Sequence, residues 1–159
     1  MPNSEQLAFL KMAATAAAKC EQETGCPAEL SVAQCVLESA WGTRMPGMNA
    51  FGIKATDSHA TYQLTKEYLD GQWQTVRAAF EAYDTLADCF IAHARLIQRG
   101  RYTDAWRDYE QRCDLDALVD GIAHIYATDP NYAAMVKQIA HEPAVAAALS
   151  AARNRVNVA

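Results

Sequence analysis

The chain has 159 residues, 51% of them hydrophobic and 21% charged, which suits one globular domain (residues 1–159) with a real core. Fourteen Lys and Arg against 19 Asp and Glu leave a net charge of -5, and no basic stripe forms, which argues against nucleic acid as a partner. The cysteines (Cys20, Cys26, Cys35, Cys89, Cys113) make no CxxC and the histidines no HExxH, so no metal or other cofactor is expected; the thiols read as buried and reduced, a Cys20–Cys26 disulfide being the alternative.

Residues 1–11 lack a basic start followed by an apolar run, and the alanine-rich stretch 12–18 is too short to span a bilayer. Neither an export signal nor membrane insertion is expected. Ser4 can cap a first helix running to about residue 23, ended by Gly25. Pro27 opens a second, from 28 to about 41. Between 42 and 58 the residues Gly42, Pro46, Gly47, Asn49 and Gly52 break any helical period and predict a long ordered loop.

The runs 61–69 and 72–80 flank Asp70-Gly71, the pattern of a β-hairpin. Helical period returns from Asp84 to about 99, with Leu86, Phe90, Ala94 and Ile97 on one stripe and Gly100 as the stop. No helix is assigned between Gly100 and Asp114, where Tyr102, Trp106 and Tyr109 read as core or rim. Asp114 caps a helix to about 126, Asp129-Pro130 opens another to 141, and Glu142-Pro143 a last one to about 152. Residues 153–159 read as a frayed tail. The fold class is mostly α with a small β-hairpin (α+β).

Two carboxylates stand out. On a wheel of the second helix, Leu30, Val32, Ala33, Val36, Leu37 and Ala40 cluster roughly opposite Glu38, while Ser31, Gln34 and Cys35 lie within about 60° of it. Trp41, three residues on, can crowd the same surface, and an aromatic beside a carboxyl in a partly dry groove raises its pKa toward that of a general acid. A solvated surface glutamate fits the same pattern. Strand alternation puts Glu67 on a face with Gln63 and Thr65, either an ordinary polar face or the wall of a cleft. His93, His124 and the arginines around Gly100 read as structural or solvated.

The runs Glu38-Ser39-Ala40-Trp41-Gly42 and Asn49-Ala50-Phe51-Gly52-Ile53-Lys54 resemble the signature of glycoside hydrolase family 73 N-acetylglucosaminidases. That group includes the peptidoglycan-hydrolysing domain of flagellar rod-assembly proteins, bacterial autolysins and some phage endolysins. Further pieces match in order: Lys66-Glu67-Tyr68, Phe80-Glu81-Ala82-Tyr83, Arg101-Tyr102, and Tyr126-Ala127-Thr128-Asp129-Pro130-Asn131-Tyr132-Ala133. The resemblance covers roughly residues 26–140. Ala40 stands where a glycine is commoner, and Ala50 where a larger apolar residue precedes Phe51.

The resemblance implies a lysozyme-like fold and an endo-acting hydrolase cleaving the β-1,4 bond between N-acetylglucosamine and N-acetylmuramic acid. It makes Glu38 the general acid, Glu67 the second acidic residue and Tyr126 a tyrosine beside the catalytic centre. Trp41, Asn49, Phe51 and Tyr132 would shape the substrate groove, and Ala50 bears on a sugar subsite. Protonation of the leaving oxygen by Glu38 is compatible with attack by water, by Glu67 or by the substrate's own acetamido group. Muramidase or lytic transglycosylase action, or an inactive peptidoglycan-binding module, are the alternatives. The expected partner is the peptidoglycan strand, bound by a monomer. The expected place of action is the cell wall (periplasm), reached from the cytoplasm through a holin or a secretion machine. Because Glu67 would ride on a two-stranded ribbon, it is expected to move before substrate binds.

Overall fold

The computed structural model describes residues 1–55 and 60–158; the end of the expected 42–58 loop lies outside the described residues. Seven α-helices and one antiparallel hairpin appear among them. They are α1 (Ser4–Thr24), α2 (Ala28–Glu38), β1 (Ala60–Leu69), β2 (Gln72–Glu81), α3 (Leu86–Ile97), α4 (Thr103–Arg112), α5 (Leu115–Tyr126), α6 (Tyr132–Ala140) and α7 (Pro143–Val158). Among the described residues, no helix is long and apolar enough to cross a membrane.

The cap of helix α1 lies one residue before the expected one. Asn3 is the N-cap, accepting the Gln6 N–H at 2.8 Å while Gln6 Oε1 accepts the Asn3 N–H at 2.9 Å, a reciprocal capping box. Ala13, Ala14 and Ala17 are fully buried, and these short side chains let α1 pack closely on α7, α3 and α2. Gly25, at φ 77°, closes the helix as expected.

Helix α2 departs from the sequence reading twice. It stops at Glu38, three residues early, and it is not amphipathic. Ser31, Gln34 and Cys35, placed on the polar side by the wheel, are as buried as Leu30, Val32 and Ala33. Helix α6 packs on α2 from one side and α1 on another, so α2 is a central helix enclosed all round. Glu38 is its last residue and emerges only because the helix ends there.

The hairpin lies where the sequence places it, each strand one residue longer at its outer end. Asp70 (φ 52°) and Gly71 (φ 79°) form the two-residue turn, and pairing runs from Leu69↔Gln72 to Ala60↔Glu81. An isolated antiparallel bridge between Lys54 and Phe80 ties the preceding loop to β2.

Thr85 caps α3 and Asp114 caps α5, each by accepting a backbone N–H three residues on. Helix α4 is absent from the sequence reading although Tyr102, Ala105, Trp106 and Tyr109 recur at i, i+3, i+4 and i+7 and pack on the core; the rest of its residues are polar, and only Trp106 of its ten is buried. The supposed frayed tail is helical: α7 continues through Val158, with Ala152 fully buried. Arg153 holds it with four hydrogen bonds of 2.8–3.0 Å to the carboxylates of Glu21 and Glu29, joining α7 to α1 and α2. All five cysteines are free thiols, with Cys113 exposed and the other four buried.

Candidate active site

The end of α2 determines where Glu38 sits. Helix α2 closes with a double hydrogen bond, Trp41 N–H to Val36 O (3.0 Å) and Ala40 N–H to Leu37 O (3.4 Å), the pattern of a Schellman terminus. Ala40 (φ 48°), Trp41 (φ 58°) and Gly42 (φ 81°) are all left-handed. A Cβ on Gly42 would lie 2.5 Å from two ring carbons of Phe9, so only glycine lets this turn press on α1. Ser39 reinforces the turn, donating to Cys35 O at 2.6 Å and accepting the Gly42 N–H at 2.9 Å.

Glu38 opens into a groove of about 780 Å³, with Thr43, Arg44 and Asn49 on one side and the strand residues Gln63, Thr65 and Phe80 on the other. Asn49 is buried and fully used: Oδ1 accepts the N–H groups of Phe51 and Ile53, and Nδ2 donates to the carbonyls of Ile53 and Glu81. It shapes the groove by folding its loop. Phe51 lies behind that loop, 4% exposed, its ring stacked on His93 at 3.9 Å and edge-on to Phe90. Ala50 is fully buried, its N–H against Cys89 Sγ, and does not line the groove.

On the far side of Glu38 stands a pair of tyrosines. Asp129 Oδ1 accepts the Asn131 N–H at 2.8 Å and its carbonyl accepts the Tyr132 N–H, so the Asp129-Pro130-Asn131 turn makes Tyr132, rather than Pro130, the first residue of α6. Tyr126, the last residue of α5, is thereby stacked on Tyr132, with ring centroids 5.7 Å apart and 13° between planes. The Tyr132 hydroxyl donates to Glu38 Oε1 at 2.8 Å and accepts from Gln34 Nε2 at 3.0 Å. Burial raises the Glu38 carboxyl above its ordinary value, and the Tyr132 hydrogen bond offsets this only in part. Burial, with Glu38 nearby, pushes the Tyr132 phenol far upward, so it stays protonated and able to donate.

Trp41 was expected to supply the dry surface beside Glu38. It packs against the core and does not line the groove; Tyr132 meets the carboxyl instead. Glu67 stands apart from this group, on β1, where Lys54 Nζ donates to its Oε1 at 2.7 Å. The structure therefore brings Glu38, Tyr132 and Tyr126 together and leaves Glu67 on the hairpin. Sequence reasoning missed Gln34, Lys54 and Arg44. A signal existed for Gln34, which lies one turn before Glu38 on a helix built, apart from Glu29, of small and apolar residues.

A carboxyl kept toward its neutral form at the mouth of a groove, on a helical body with a hairpin wall, is the arrangement of a lysozyme-like glycoside hydrolase. The comparisons narrow the class. The family model described as "Glucosaminidase: Mannosyl-glycoprotein endo-beta-N-acetylglucosaminidase" matches residues 14–144, and the chain belongs to that family of glycoside hydrolases. It is 31% identical over 143 residues to a probable N-acetylmuramidase of Lactococcus lactis subsp. lactis (strain IL1403), covering 83% of this chain and 32% of that protein. It is 33% identical over 137 residues to the peptidoglycan hydrolase FlgJ of Escherichia coli (strain K12), covering 79% of this chain and 43% of that protein. The chain thus spans less than half the length of these curated relatives. Among solved structures it resembles a peptidoglycan hydrolase mutant from Sphingomonas sp. A1, with a TM-score of 0.74 and 30% identity over 91% of this chain and 99% of that one.

Proposed function

We propose that residues 1–159 form one hydrolase domain that cleaves peptidoglycan endo-wise, at the β-1,4 bond between N-acetylglucosamine and N-acetylmuramic acid, with Glu38 as general acid. The observation that carries this reading is the state of Glu38: partly buried, raised in pKa, and oriented by the Tyr132 hydroxyl at the wall of an open groove. A carboxyl in that state can protonate a glycosidic oxygen near neutral pH, which a solvated glutamate does poorly. Glu67, paired with Lys54 on the ribbon and outside the groove lining, is the second carboxylate and reaches the sugar by movement of the ribbon. Tyr126 supports the site through its stack on Tyr132. The substrate is the glycan strand of the cell wall, in keeping with the names of the relatives.

Those names also supply the competing reading. The lactococcal relative is described as a probable N-acetylmuramidase, whose cut falls at the other β-1,4 bond of the same strand. Mass spectrometry of reduced digests of sacculi separates the two. A reducing-end N-acetylglucosamine is the expected product. A reducing-end N-acetylmuramic acid or an anhydro sugar overturns the bond assignment. Cell-wall clearing that survives Glu38→Gln overturns the acid.

A further inference from the structure

Among the described residues, two ionisable side chains line the groove: Glu38 and Arg44. The rest of the lining is neutral, and the protein as a whole carries a net charge of -5. An exposed guanidinium thus stands at the wall of this groove. Its root is fixed. The Arg44 N–H donates to Ser39 O at 2.9 Å, which pins the residue to the turn that ends α2 and thus to Glu38.

Among the described residues the guanidinium has no hydrogen-bond or ion-pair partner of its own. It does not serve Glu38 either. No ion pair joins the two, and the state of Glu38 is set by burial and by Tyr132, with no contribution from Arg44. That separation is consistent with catalysis, since an adjacent guanidinium would hold the acid ionised and unable to give a proton. A rigid fork of N–H donors, left unpaired at the wall of a groove, matches a planar carboxylate.

The sugar rings of a peptidoglycan strand are neutral, and its carboxylates lie on the stem peptides attached through the muramic acid lactyl groups. We propose that Arg44 forms a carboxylate subsite that reads a stem-peptide carboxylate beside the scissile bond, so that the groove prefers peptide-bearing strands. This rests on the peptidoglycan reading above. The contact involves no reacting atom and persists from ground state to transition state, so its loss appears in KM and not in kcat.

The test uses soluble glycan strands with acetylated amines, prepared with stem carboxylates free or capped as methylamides by carbodiimide coupling. For Arg44→Gln on free-carboxylate strands, KM rises about five- to tenfold with kcat within about twofold of the parent. On capped strands the same substitution changes KM by less than about twofold, since the carboxylate it would have bound is gone. Arg44→Lys recovers part of the loss, a point charge lacking the fork. An equal penalty on both strand types overturns the proposal, and so does no penalty on either. Peptide-free strands, whose lactyl groups carry their only carboxylates, show no penalty if the stem is the source, and a penalty confined to them overturns that assignment. Failure of the parent protein to cut any strand type removes the peptidoglycan reading and this subsite with it.

Discussion

The hydroxyl of Tyr132 donates a 2.8 Å hydrogen bond to Oε1 of Glu38 and is itself held by Gln34 Nε2 at 3.0 Å. Two opposed influences meet on the carboxyl. Burial favours its neutral form more strongly than the tyrosine favours its charged form, so the net displacement is upward. The same hydrogen bond fixes which way the acid points.

Tyr132→Phe separates these effects. Removing a donor to the carboxylate lets burial act unopposed, so the Glu38 pKa rises further. The alkaline limb of kcat/KM, where the acid is lost by ionisation, therefore shifts to higher pH. Loss of orientation lowers kcat by about tenfold. Gln34 loses its acceptor while its Oε1 is already without a partner, which costs about 1–2 kcal/mol of stability by chemical denaturation. An alkaline limb that does not move would show that Tyr132 has no hold on the acid.

Glu38→Gln removes the carboxyl proposed as the proton donor and is expected to lower activity by about 10²–10⁴-fold. Its effect on stability has the opposite sign. A carboxyl whose folded pKa is raised contributes stability below its unfolded pKa and loses that contribution as pH rises through the folded value. Above that window the parent carries a destabilised carboxylate and the amide does not. The variant accordingly melts higher than the parent at about pH 8, and the difference closes toward about pH 4. Melting curves at the two pH values check this, and a variant less stable at both would contradict it.

How far the sequence foretold this arrangement depended on whether the signal was local. The Asp70-Gly71 turn, the Thr85–Leu86 start of α3 and the Asp114 cap act within a few residues and were legible or nearly so. The resemblance drew attention to Glu38 and the two tyrosines, but it could not assign the Tyr132 hydroxyl to Glu38, since that bond spans two elements far apart in the chain. The α2 wheel misled because burial of Ser31, Gln34 and Cys35 is imposed by α6 and α1, which no periodicity within α2 encodes. Helix α4 was missed for a different reason: its apolar stripe of Ala105, Trp106 and Tyr109 is short and set among charged residues. The tail read as frayed because Arg153 looks like a solvated charge until Glu21 and Glu29 are placed against it.

That clamp is testable at a distance from the groove. Arg153 makes a two-point contact with each of Glu21 and Glu29, and Glu21 also accepts the Ala28 N–H at the start of α2. Burial raises the Glu21 carboxyl, but the Arg153 and Ala28 hydrogen bonds outweigh it, and the net shift is downward. A lowered carboxylate contributes stability above its unfolded pKa and loses it as pH falls through the folded value. Arg153→Met is expected to cost about 1–2 kcal/mol near neutral pH, discounted for the partial exposure of all three side chains. The loss narrows under acid conditions, where the parent also forfeits the pair. Denaturant titrations at neutral and acid pH measure it, and a loss independent of pH would mean that Arg153 acts by packing alone.

Ala40 offers a change in the other direction. It occupies the C′ position of the Schellman terminus after α2, at φ 48°, where an L side chain is strained and glycine is not. The resemblance noted glycine as the commoner residue at this place, and the backbone supplies the reason. Ala40→Gly relieves a left-handed strain of about 1–2 kcal/mol and gives back part of it through the greater freedom of the unfolded chain. The net expectation is a gain of about 0.5–1 kcal/mol, with the Ala40 N–H still bonded to Leu37 O. The turn carries Arg44 and fixes the end of the helix that bears Glu38, so kcat and KM report whether its geometry is kept. A more stable variant with parental kinetics fits the strain argument. A less stable one would show that the Ala40 methyl packs more favourably than its backbone is strained.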